Sequence, residues 1–235
     1  MKIISIIGIL ILLILSYSLI PTGILKIIYF GKVLKKQKRK NIYLTFDDGP
    51  TAEYTPLILS LLKEYNIKAC FFMVSNFAQE NPDIVSRIKD EGHTIGLHSS
   101  EHKNALLRGY GYMKKDFKTS INTMEKLGVK PHYYRPPWGD FNLCSLYFIK
   151  KYKLKLVLWQ VMAEDWSIKA TPDTIKEKLL KRTKPGSIIC LHDGRGAEDS
   201  PLKTYWALQY AIPALLAQGY TFKSLDKYYE KRTLS

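Results

Sequence analysis

From Asn41 onward, the chain repeats one pattern: a short apolar run, followed by a longer segment that is apolar on one face only. This alternation is typical of repeated β-α units, which build a parallel sheet covered by helices. The pattern predicts strands at residues 42–46, 69–74, 93–97, 132–135, 154–160, 187–191 and 220–223. It predicts helices at residues 54–65, 82–91, 112–127, 142–151, 173–183 and 204–218. A chain of 235 residues is long enough for one sizeable core, and we expect a single domain over residues 41–235.

The amino-terminal segment departs from this pattern. Residues 3–25 contain no charged side chain and are rich in Ile and Leu, which suits a helix of membrane-spanning length. We therefore expect a transmembrane or signal-anchor helix over residues 1–25. The residues Ser16-Tyr17-Ser18 match a signal-peptidase cleavage site poorly, so retention of the segment is favoured over its removal.

A basic linker is predicted next, because residues 26–40 hold seven of the 36 Lys and Arg residues and no acidic residue. The whole chain has a formal net charge of +15. Beside a membrane segment, such a block can contact anionic lipid headgroups or acidic wall polymers. No nucleic-acid recognition motif accompanies the charge, so a nucleic-acid partner is not expected.

The orientation of the domain is subject to two opposing arguments. The basic residues after the span would keep the domain in the cytoplasm by the positive-inside rule. That rule applies to short loops, however, and long folded domains translocate largely regardless of charge. Lys2 and the amino terminus also supply the basic start of an export signal. We expect a single-pass cell-membrane protein with an extracytoplasmic domain.

Polar motifs follow five of the predicted strands. They are T-F-D-D-G-P at 45–50, H-S-S-E-H at 98–102, R-P-P-W-G-D at 135–140, E-D-W at 164–166 and H-D-G at 192–194. Because the carboxyl ends of parallel strands meet at one face of a β/α barrel, these motifs are expected to converge in one bowl.

Two of the motifs offer metal ligands. His98 and His102 are four residues apart, a spacing that puts both imidazoles on one face of a helical turn. With one carboxylate from Asp47-Asp48 they complete a three-ligand site with open positions, as in catalytic zinc centres. Either motif alone is more often a solvated surface feature, but their combination favours a site. A divalent ion there would lower the pKa of its water to about 7 and polarise a carbonyl.

Hydrolysis also needs a base and an acid, and Asp47 and His192 are the available pair. Arg135 could keep Asp47 ionised, and Asp165 could orient His192. Separately, Trp138 and Trp166 belong to two of these strand-end motifs and could wall a groove in which a sugar face stacks. The three cysteines, Cys70, Cys144 and Cys190, form no C-x-x-C pair and are expected to be small buried residues.

Taken together, the five motifs resemble in order those of the polysaccharide deacetylase family, the carbohydrate esterases of family four, from about Ile42 to Leu225. The resemblance implies a distorted (β/α)7 barrel and the release of acetate from an N-acetyl sugar. It also implies one divalent metal ion, expected to be zinc, with other transition metals as alternatives.

By resemblance, Asp48, His98 and His102 bind this metal. Asp47 is then the general base, which Arg135 holds in place, and His192 is the general acid. The metal and the backbone N–H of Trp138 would bind the oxyanion.

Two residues depart from the family pattern. Met162 stands where the family often has an acid three residues before the D-W pair, so support of His192 would rest on Asp165. Cys190 stands where a Leu commonly lines the acetyl pocket. Strand alternation puts Ile188, Cys190 and His192 on one face, which also places Cys190 in the pocket.

The leading hypothesis is therefore a metal-dependent N-deacetylase of a cell-envelope glycan, with peptidoglycan the nearest polymer to a membrane-anchored enzyme. A second hypothesis keeps the chemistry but takes a lipid-linked sugar at the membrane surface as substrate. A third is a catalytically silent carbohydrate-binding protein, which the complete set of Asp and His residues argues against.

Overall fold

The computed structural model describes residues 2–33 and 39–230. Within them, the centre of the fold is a curled, parallel sheet. Its strands are β1 (Asn41–Asp47), β2 (Cys70–Met73), β3 (Thr94–Leu97), β4 (Tyr133–Tyr134), β5 (Lys155–Leu156), β6 (Val161–Met162), β7 (Ile188–His192) and β8 (Thr221–Phe222). The strand order β5-β4-β3-β2-β1-β7-β6, with β8 pairing the start of β1, confirms the predicted distorted (β/α)7 barrel.

Helices connect and cover these strands. The helices after the amino-terminal segment are α3 (Thr55–Glu64), α4 (Ser75–Glu80), α5 (Pro82–Asp90), α6 (Tyr110–Lys126), α7 (Leu143–Lys151), α8 (Pro172–Arg182), α9 (Ser200–Ala217) and α10 (Leu225–Glu230). Helices α4 and α10 are not among those predicted, since six residues are too few to show a helical period. Tertiary contacts help to hold α4, where the Ser75 and Asn76 N–H groups donate to the carbonyls of Ser99 and Ser100.

The barrel is distorted where one long strand was predicted at residues 154–160. That segment is instead divided between β5 and β6, which lie at opposite ends of the strand order. Between them, the N–H of Val157 donates to the carbonyl of Tyr134, and the N–H of Gln160 donates to that of Ile188. The segment bonds to β4 at one end and to β7 at the other, so it bridges the two sheet edges without pairing continuously with either.

Strand β1 is central and almost wholly buried, which explains why its sequence is an apolar run and not an alternating one. Helix α3 contributes Ile58, Leu59 and Leu62 to the apolar core that also contains Ile42, Leu44 and Phe46 of β1. This packing fixes the direction of β1, and therefore the position at which Asp47 and Asp48 leave the sheet.

The amino-terminal segment is helical through Val33, as α1 (Lys2–Ile14), a π-helical stretch (Leu15–Leu19) and α2 (Ile20–Val33). Residues Ile6–Ile28 have a mean hydropathy of 2.2 and the length of a membrane anchor or a signal sequence. The helix continues past the predicted boundary at residue 25, so the first part of the predicted linker is helical. The rest of that linker's basic cluster includes Lys35, Lys36 and Lys38, which lie outside the described residues.

Candidate active site

The register of the sheet brings the strand-end motifs together. In the β1–β7 ladder, Asp47 lies directly opposite His192, and Thr45 lies opposite Cys190. His98 immediately follows β3, two strands away from β1 on the other side. The sequence-predicted residues therefore do converge at the carboxyl ends of the strands.

Asp48, His98 and His102 form a compact, buried cluster. The Nε2 atoms of His102 and His98 lie 2.9 and 3.3 Å from Oδ1 of Asp48, and the three candidate ligand atoms all lie within 4.8 Å of one another. The other ring nitrogen of His98 is 2.7 Å from the carbonyl of Arg135, which turns Nε2 toward the cluster. Two imidazoles and one carboxylate with this spacing fit a divalent metal ion, and the donor set suits zinc.

The electrostatics of Asp48 agree with a ligand role. Burial by itself would raise the pKa of the Asp48 carboxyl, but hydrogen bonds from His102 and His98 outweigh burial and lower this pKa below its usual range. Asp48 is therefore ionised at neutral pH, as a metal ligand must be.

The two histidines reach this position from a loop, which corrects the expectation of a helical turn. Ser99 and His102 adopt left-handed backbone conformations, with φ of 69° and 53°. Ser99 Oγ accepts a hydrogen bond from the His102 N–H, and Asp116 Oδ1 accepts from both the N–H and the hydroxyl of Ser100. Asp116, on α6, was not predicted, because nothing in its local sequence marks it as the support of a loop 16 residues away.

Asp47 is held by Arg135. The Arg135 Nη1 atom lies 2.6 Å from Asp47 Oδ1 and also donates to Thr45 Oγ1, while its guanidinium lies over the ring of Phe72. Arg135 is fully buried, so this is no solvated surface pair. Burial lowers the pKa of Arg135, but the charge of Asp47 outweighs burial and raises it. Arg135 is therefore charged, and Oδ2 of Asp47 lies on the side of the metal cluster, 3.9 Å from His98 Nε2.

His192 is held by Asp165 in a similar way. Its Nδ1 lies 2.9 Å from Asp165 Oδ1, and Asp165 Oδ2 accepts from the His192 backbone N–H and from Thr204 Oγ1. Burial lowers the pKa of His192, but the attraction and the hydrogen bond of Asp165 outweigh it and raise the pKa to about 9. His192 is therefore protonated at neutral pH, with Nε2 left to face a substrate.

We expect Asp165→Asn to move the alkaline limb of the kcat profile to lower pH. Activity that needs protonated His192 falls as pH rises through the pKa of this group, and that pKa is raised by the charge of Asp165. A cation on Asp48 lowers the pKa again, so the wild-type limb lies at or below about pH 9. Loss of the orienting partner should also reduce kcat by about 10- to 100-fold. Thr204→Val is the control, because it removes a hydrogen bond to Asp165 but no charge, and it should leave the alkaline limb in place. An unshifted limb in Asp165→Asn would contradict the assignment of this limb to His192.

A cleft of about 460 Å³ opens over these groups. Trp138 and Trp166 line it with about half of their surface exposed, and the Trp138 ring lies 4.4 Å from that of His102. Trp159 also lines the cleft and was not predicted, because it lies in the segment that was assigned to a continuous strand. The cleft therefore has apolar ring faces of the kind on which a sugar stacks.

Cys190 lies at the floor of the cleft beside the candidate base. It is fully buried, and its thiol donates to Asp47 Oδ2 at 3.4 Å. Burial and the charge of Asp47 raise the pKa of Cys190 well above its usual value, so the thiol is neutral. Met162 pairs with Cys190 in the β6–β7 ladder and also lines the cleft, so both departures from the family pattern border the same cavity.

We expect Cys190→Leu to narrow this floor and to lower the rate on acyl groups longer than acetyl relative to the acetyl rate. Cys190→Ala is the matched control, because it also removes the thiol donor but enlarges the space. The measurement is the ratio of kcat/KM values for acetyl and longer acyl substrates. Equal ratios in wild type and Cys190→Leu would show that the thiol only fills the core.

Asp193 is a third residue of the site that the sequence analysis did not predict, although it follows His192 directly. It is buried, and its Oδ2 accepts a hydrogen bond from Thr55 Oγ1 at 2.7 Å. Burial, with Asp48 and Asp47 nearby, raises its pKa to about 7. A Cβ on Gly49 would overlap the Asp193 carboxylate, so the glycine of T-F-D-D-G-P is required for this close approach.

Comparison with known proteins agrees with this geometry. A family model described as polysaccharide deacetylase matches residues 34–157, more than half of the chain. The chain belongs to the polysaccharide deacetylase family. The matched range of this deacetylase includes Asp47, Asp48, His98, His102 and Arg135.

Two relatives and one solved structure are similar to this deacetylase over a longer part of the chain than the family model matches. A chitooligosaccharide deacetylase of Azorhizobium caulinodans is 32% identical over 80% of this deacetylase and 94% of its own length. A peptidoglycan-N-acetylglucosamine deacetylase of Bacillus cereus is 35% identical over 82% of this deacetylase and 69% of its own length. The crystal structure of the Bc1960 peptidoglycan N-acetylglucosamine deacetylase superposes with a TM-score of 0.77 and 32% identity, covering 82% of this deacetylase and 89% of that chain.

The predicted enzyme class is thereby confirmed: the protein is an amide-bond hydrolase of the N-deacetylase type. The individual roles of the site residues remain predictions, which the geometry supports. Asp165, Trp166, Cys190 and His192 lie beyond the matched range, so the argument for them depends on their contacts within the cleft.

Proposed function

We propose that this deacetylase removes acetyl groups from the N-acetyl sugars of peptidoglycan, with one zinc ion held by Asp48, His98 and His102. The observation that carries the proposal is the meeting of this cluster with the Asp47–Arg135 and His192–Asp165 pairs in one aromatic-walled cleft. Relatives named as peptidoglycan deacetylases support the choice of substrate.

The residues divide the work of amide hydrolysis between them. When bound, the ion supplies Lewis-acid polarisation of the acetamide carbonyl and a lowered pKa for the attacking water. Asp47 Oδ2 would accept a proton from the attacking water, and the Arg135 guanidinium holds this carboxylate in place. His192 gives its proton to the leaving sugar nitrogen, so acetate and a free amine result.

The candidate base and the candidate acid each have a buried partner of opposite charge. Asp47 is paired with a buried cation, whereas His192 is paired with a buried anion. Their partners thus favour a base at Asp47 and an acid at His192, although the two residues are neighbours in the β1–β7 ladder. A silent carbohydrate-binding protein would have no need for this arrangement.

The decisive experiment is mass spectrometry of peptidoglycan fragments before and after treatment with the zinc-loaded full chain. We expect loss of acetyl groups from N-acetyl sugars, and abolition of that loss by a chelator. Binding of the glycan without any deacetylation, in protein shown to contain metal, would support the silent reading and overturn the proposal.

We further propose that the apolar helix Ile6–Ile28 anchors the enzyme in the cell membrane with the catalytic domain outside. The length and composition of the helix support an anchor. The basic residues that follow would lie along anionic headgroups or acidic wall polymers.

We expect protease added to intact, wall-stripped cells to digest the catalytic domain, because a domain outside the membrane is open to it. A cytoplasmic protein serves as the control for cell integrity. Protection of the domain until the membrane is breached would reverse the topology.

A lipid-linked sugar is the second candidate substrate, and a specific contact favours it. Lys26 of the apolar helix pairs with Asp140, two residues beyond Trp138 of the cleft. The cleft therefore lies close to the anchor. Deacetylation of a lipid-linked N-acetyl sugar but not of wall fragments would select this alternative.

A further inference from the structure

The apolar helix packs against the catalytic domain along the half that precedes the linker. Its polar side chains make this contact, and two of their partners, Asp140 and Phe141, lie two and three residues beyond Trp138 of the cleft. The contacts are Tyr17 Oη to the Arg108 carbonyl at 2.6 Å, Thr22 Oγ1 to the Phe141 carbonyl at 2.6 Å, and Lys26 Nζ to Asp140 Oδ1 at 3.0 Å. Ser18 and Thr22 are buried, whereas the other side chains described between residues 6 and 28 are exposed or partly exposed.

The opposite face of the same stretch stays apolar and exposed. The exposed side chains beyond Tyr17 are Leu19, Ile20, Ile24, Ile27 and Ile28. At 1.5 Å per residue, the helix from Lys2 to Tyr17 is only about 23 Å long, short of the ~30 Å hydrocarbon core. A helix that spans the bilayer must therefore keep residues beyond Tyr17 in lipid on its outer face, while its inner face contacts the domain.

It follows that the domain surface beside the helix reaches the level of the bilayer. That surface carries four large apolar or amphipathic side chains that are at least half exposed, here called the bilayer patch: Leu107, Tyr110, Leu143 and Tyr147. Leu107 alone is 73% exposed. Single exposed apolar residues are ordinary, but a group of them beside an apolar helix indicates an interaction surface.

The patch is one continuous surface. Asn142 Nδ2 donates to the carbonyls of Ala105 and Arg108, which ties the loop that carries Leu107 to the start of α7. The rings of Tyr110 and Tyr147 lie 6.0 Å apart. The same carbonyl of Arg108 accepts from Tyr17, so the patch adjoins the helix directly.

We propose that the bilayer patch rests in the lipid bilayer that holds the helix, so that the catalytic domain lies on the membrane surface with its cleft in a fixed orientation. This proposal depends on the membrane anchoring proposed above. Tyrosines prefer the membrane interface, and Lys151, 6.0 Å from the Tyr147 ring, places a cation where headgroup phosphates would lie. A lipid occupant is favoured over a second copy of the chain because the patch directly adjoins the helix that the bilayer would hold.

The apolar helix lies close to the wall of the cleft that contains Trp138 and Trp159. A Cβ placed on Gly139, next to Trp138, would lie 3.6 Å from Cε of Lys26 and 2.9 Å from the Trp159 ring. The helix is thus adjacent to one wall of the cleft. Glycans that enter the cleft would therefore do so close to the bilayer, which sets the distance from the membrane at which sugars are deacetylated.

The test uses the full chain in vesicles of phosphatidylcholine and phosphatidylglycerol, with an environment-sensitive fluorophore on single introduced cysteines. Cys144→Ser is the background, because Cys70 and Cys190 are buried and will not label. The probes are placed by Leu107→Cys and Leu143→Cys in the patch and by Leu12→Cys in the helix. Tyr210→Cys is the matched control, since Tyr210 is 64% exposed on α9, which packs against α3 and α8.

We expect nitroxide-bearing lipids to quench the probes at positions 12, 107 and 143, and aqueous iodide to quench only the probe at 210. Quenching at 12 with iodide access at 107 and 143 would overturn the bilayer patch but leave the anchor intact. No lipid quenching at 12 would overturn the anchor itself. A third result would be that the probes at 107 and 143 are protected from iodide only at a high protein-to-lipid ratio and are not quenched by the nitroxide lipids. That result would assign the patch to a second copy of the chain and overturn the proposal.

Discussion

Asp47→Asn lowers kcat by about two to four orders of magnitude, the range produced by loss of a general acid or base group. Asparagine keeps an oxygen that can accept from Arg135 Nη1, so the geometry of the cleft is preserved. It cannot take a proton from water at neutral pH. The measurement is kcat on an N-acetylated oligosaccharide, together with the metal content of the same preparation, which should stay at the wild-type value.

Two controls separate chemistry from folding in this experiment. Breaking a buried charge pair costs about 3–5 kcal/mol, so thermal unfolding of Asp47→Asn is measured beside its activity. Asp226→Asn is the matched carboxylate change, because Asp226 accepts from Thr94 and Tyr133 at the other end of the sheet, and it should leave kcat unchanged. His192→Ala should show a loss similar to that of Asp47→Asn. Wild-type turnover by folded Asp47→Asn protein would remove Asp47 from the mechanism.

Asp48→Ala, His98→Ala and His102→Ala each abolish stable metal binding and, with it, activity. Loss of one of three protein ligands should weaken affinity beyond the ~10- to 100-fold effect of removing a residue that merely supports a ligand. Folding should survive, because the main core of the domain is built from apolar residues away from the cluster. Metal content after dialysis is the readout, with circular dichroism to verify the fold.

His132→Ala is the control for these variants, since His132 is exposed near the amino end of β4, away from the cleft. It should keep both metal and activity. If His102→Ala protein retained one metal ion per chain and full turnover, the three-ligand cluster would be wrong.

The parallel sheet, the convergence of the strand-end motifs and the apolar helix could all be inferred from the sequence, because they depend on local signals. The β-α alternation predicts a parallel sheet, and in such a sheet the carboxyl ends of the strands share one face. Motifs placed directly after strands, such as Asp47-Asp48 and His98, therefore had to meet. The apolar helix is equally local, since its length and lack of charge are read directly from residues 3–25.

Other features depend on contacts between distant residues and have no local signature. Asp116 supports the loop of His98 and His102 from α6, and Trp159 enters the cleft because the sheet is interrupted after β5. The separate environments of the adjacent Asp47 and Asp48 also arise from the fold. Arg135, directly after β4, contacts Oδ1 of Asp47, whereas the loop of His98 and His102 contacts Asp48. The positive φ of Asp48 turns it out of the strand.

The sequence by itself thus determined the sheet, the apolar helix and the set of residues at the strand ends, because hydrophobic periodicity and turn chemistry act over a few residues. The tertiary structure alone decided which side chains pair, which are buried and where the helix rests. Tyr17, Thr22 and Lys26 look like interruptions of an apolar segment in the sequence, and only packing shows that all three face the catalytic domain. Pairing across 91 to 119 residues depends on how the whole chain closes, which no local pattern encodes.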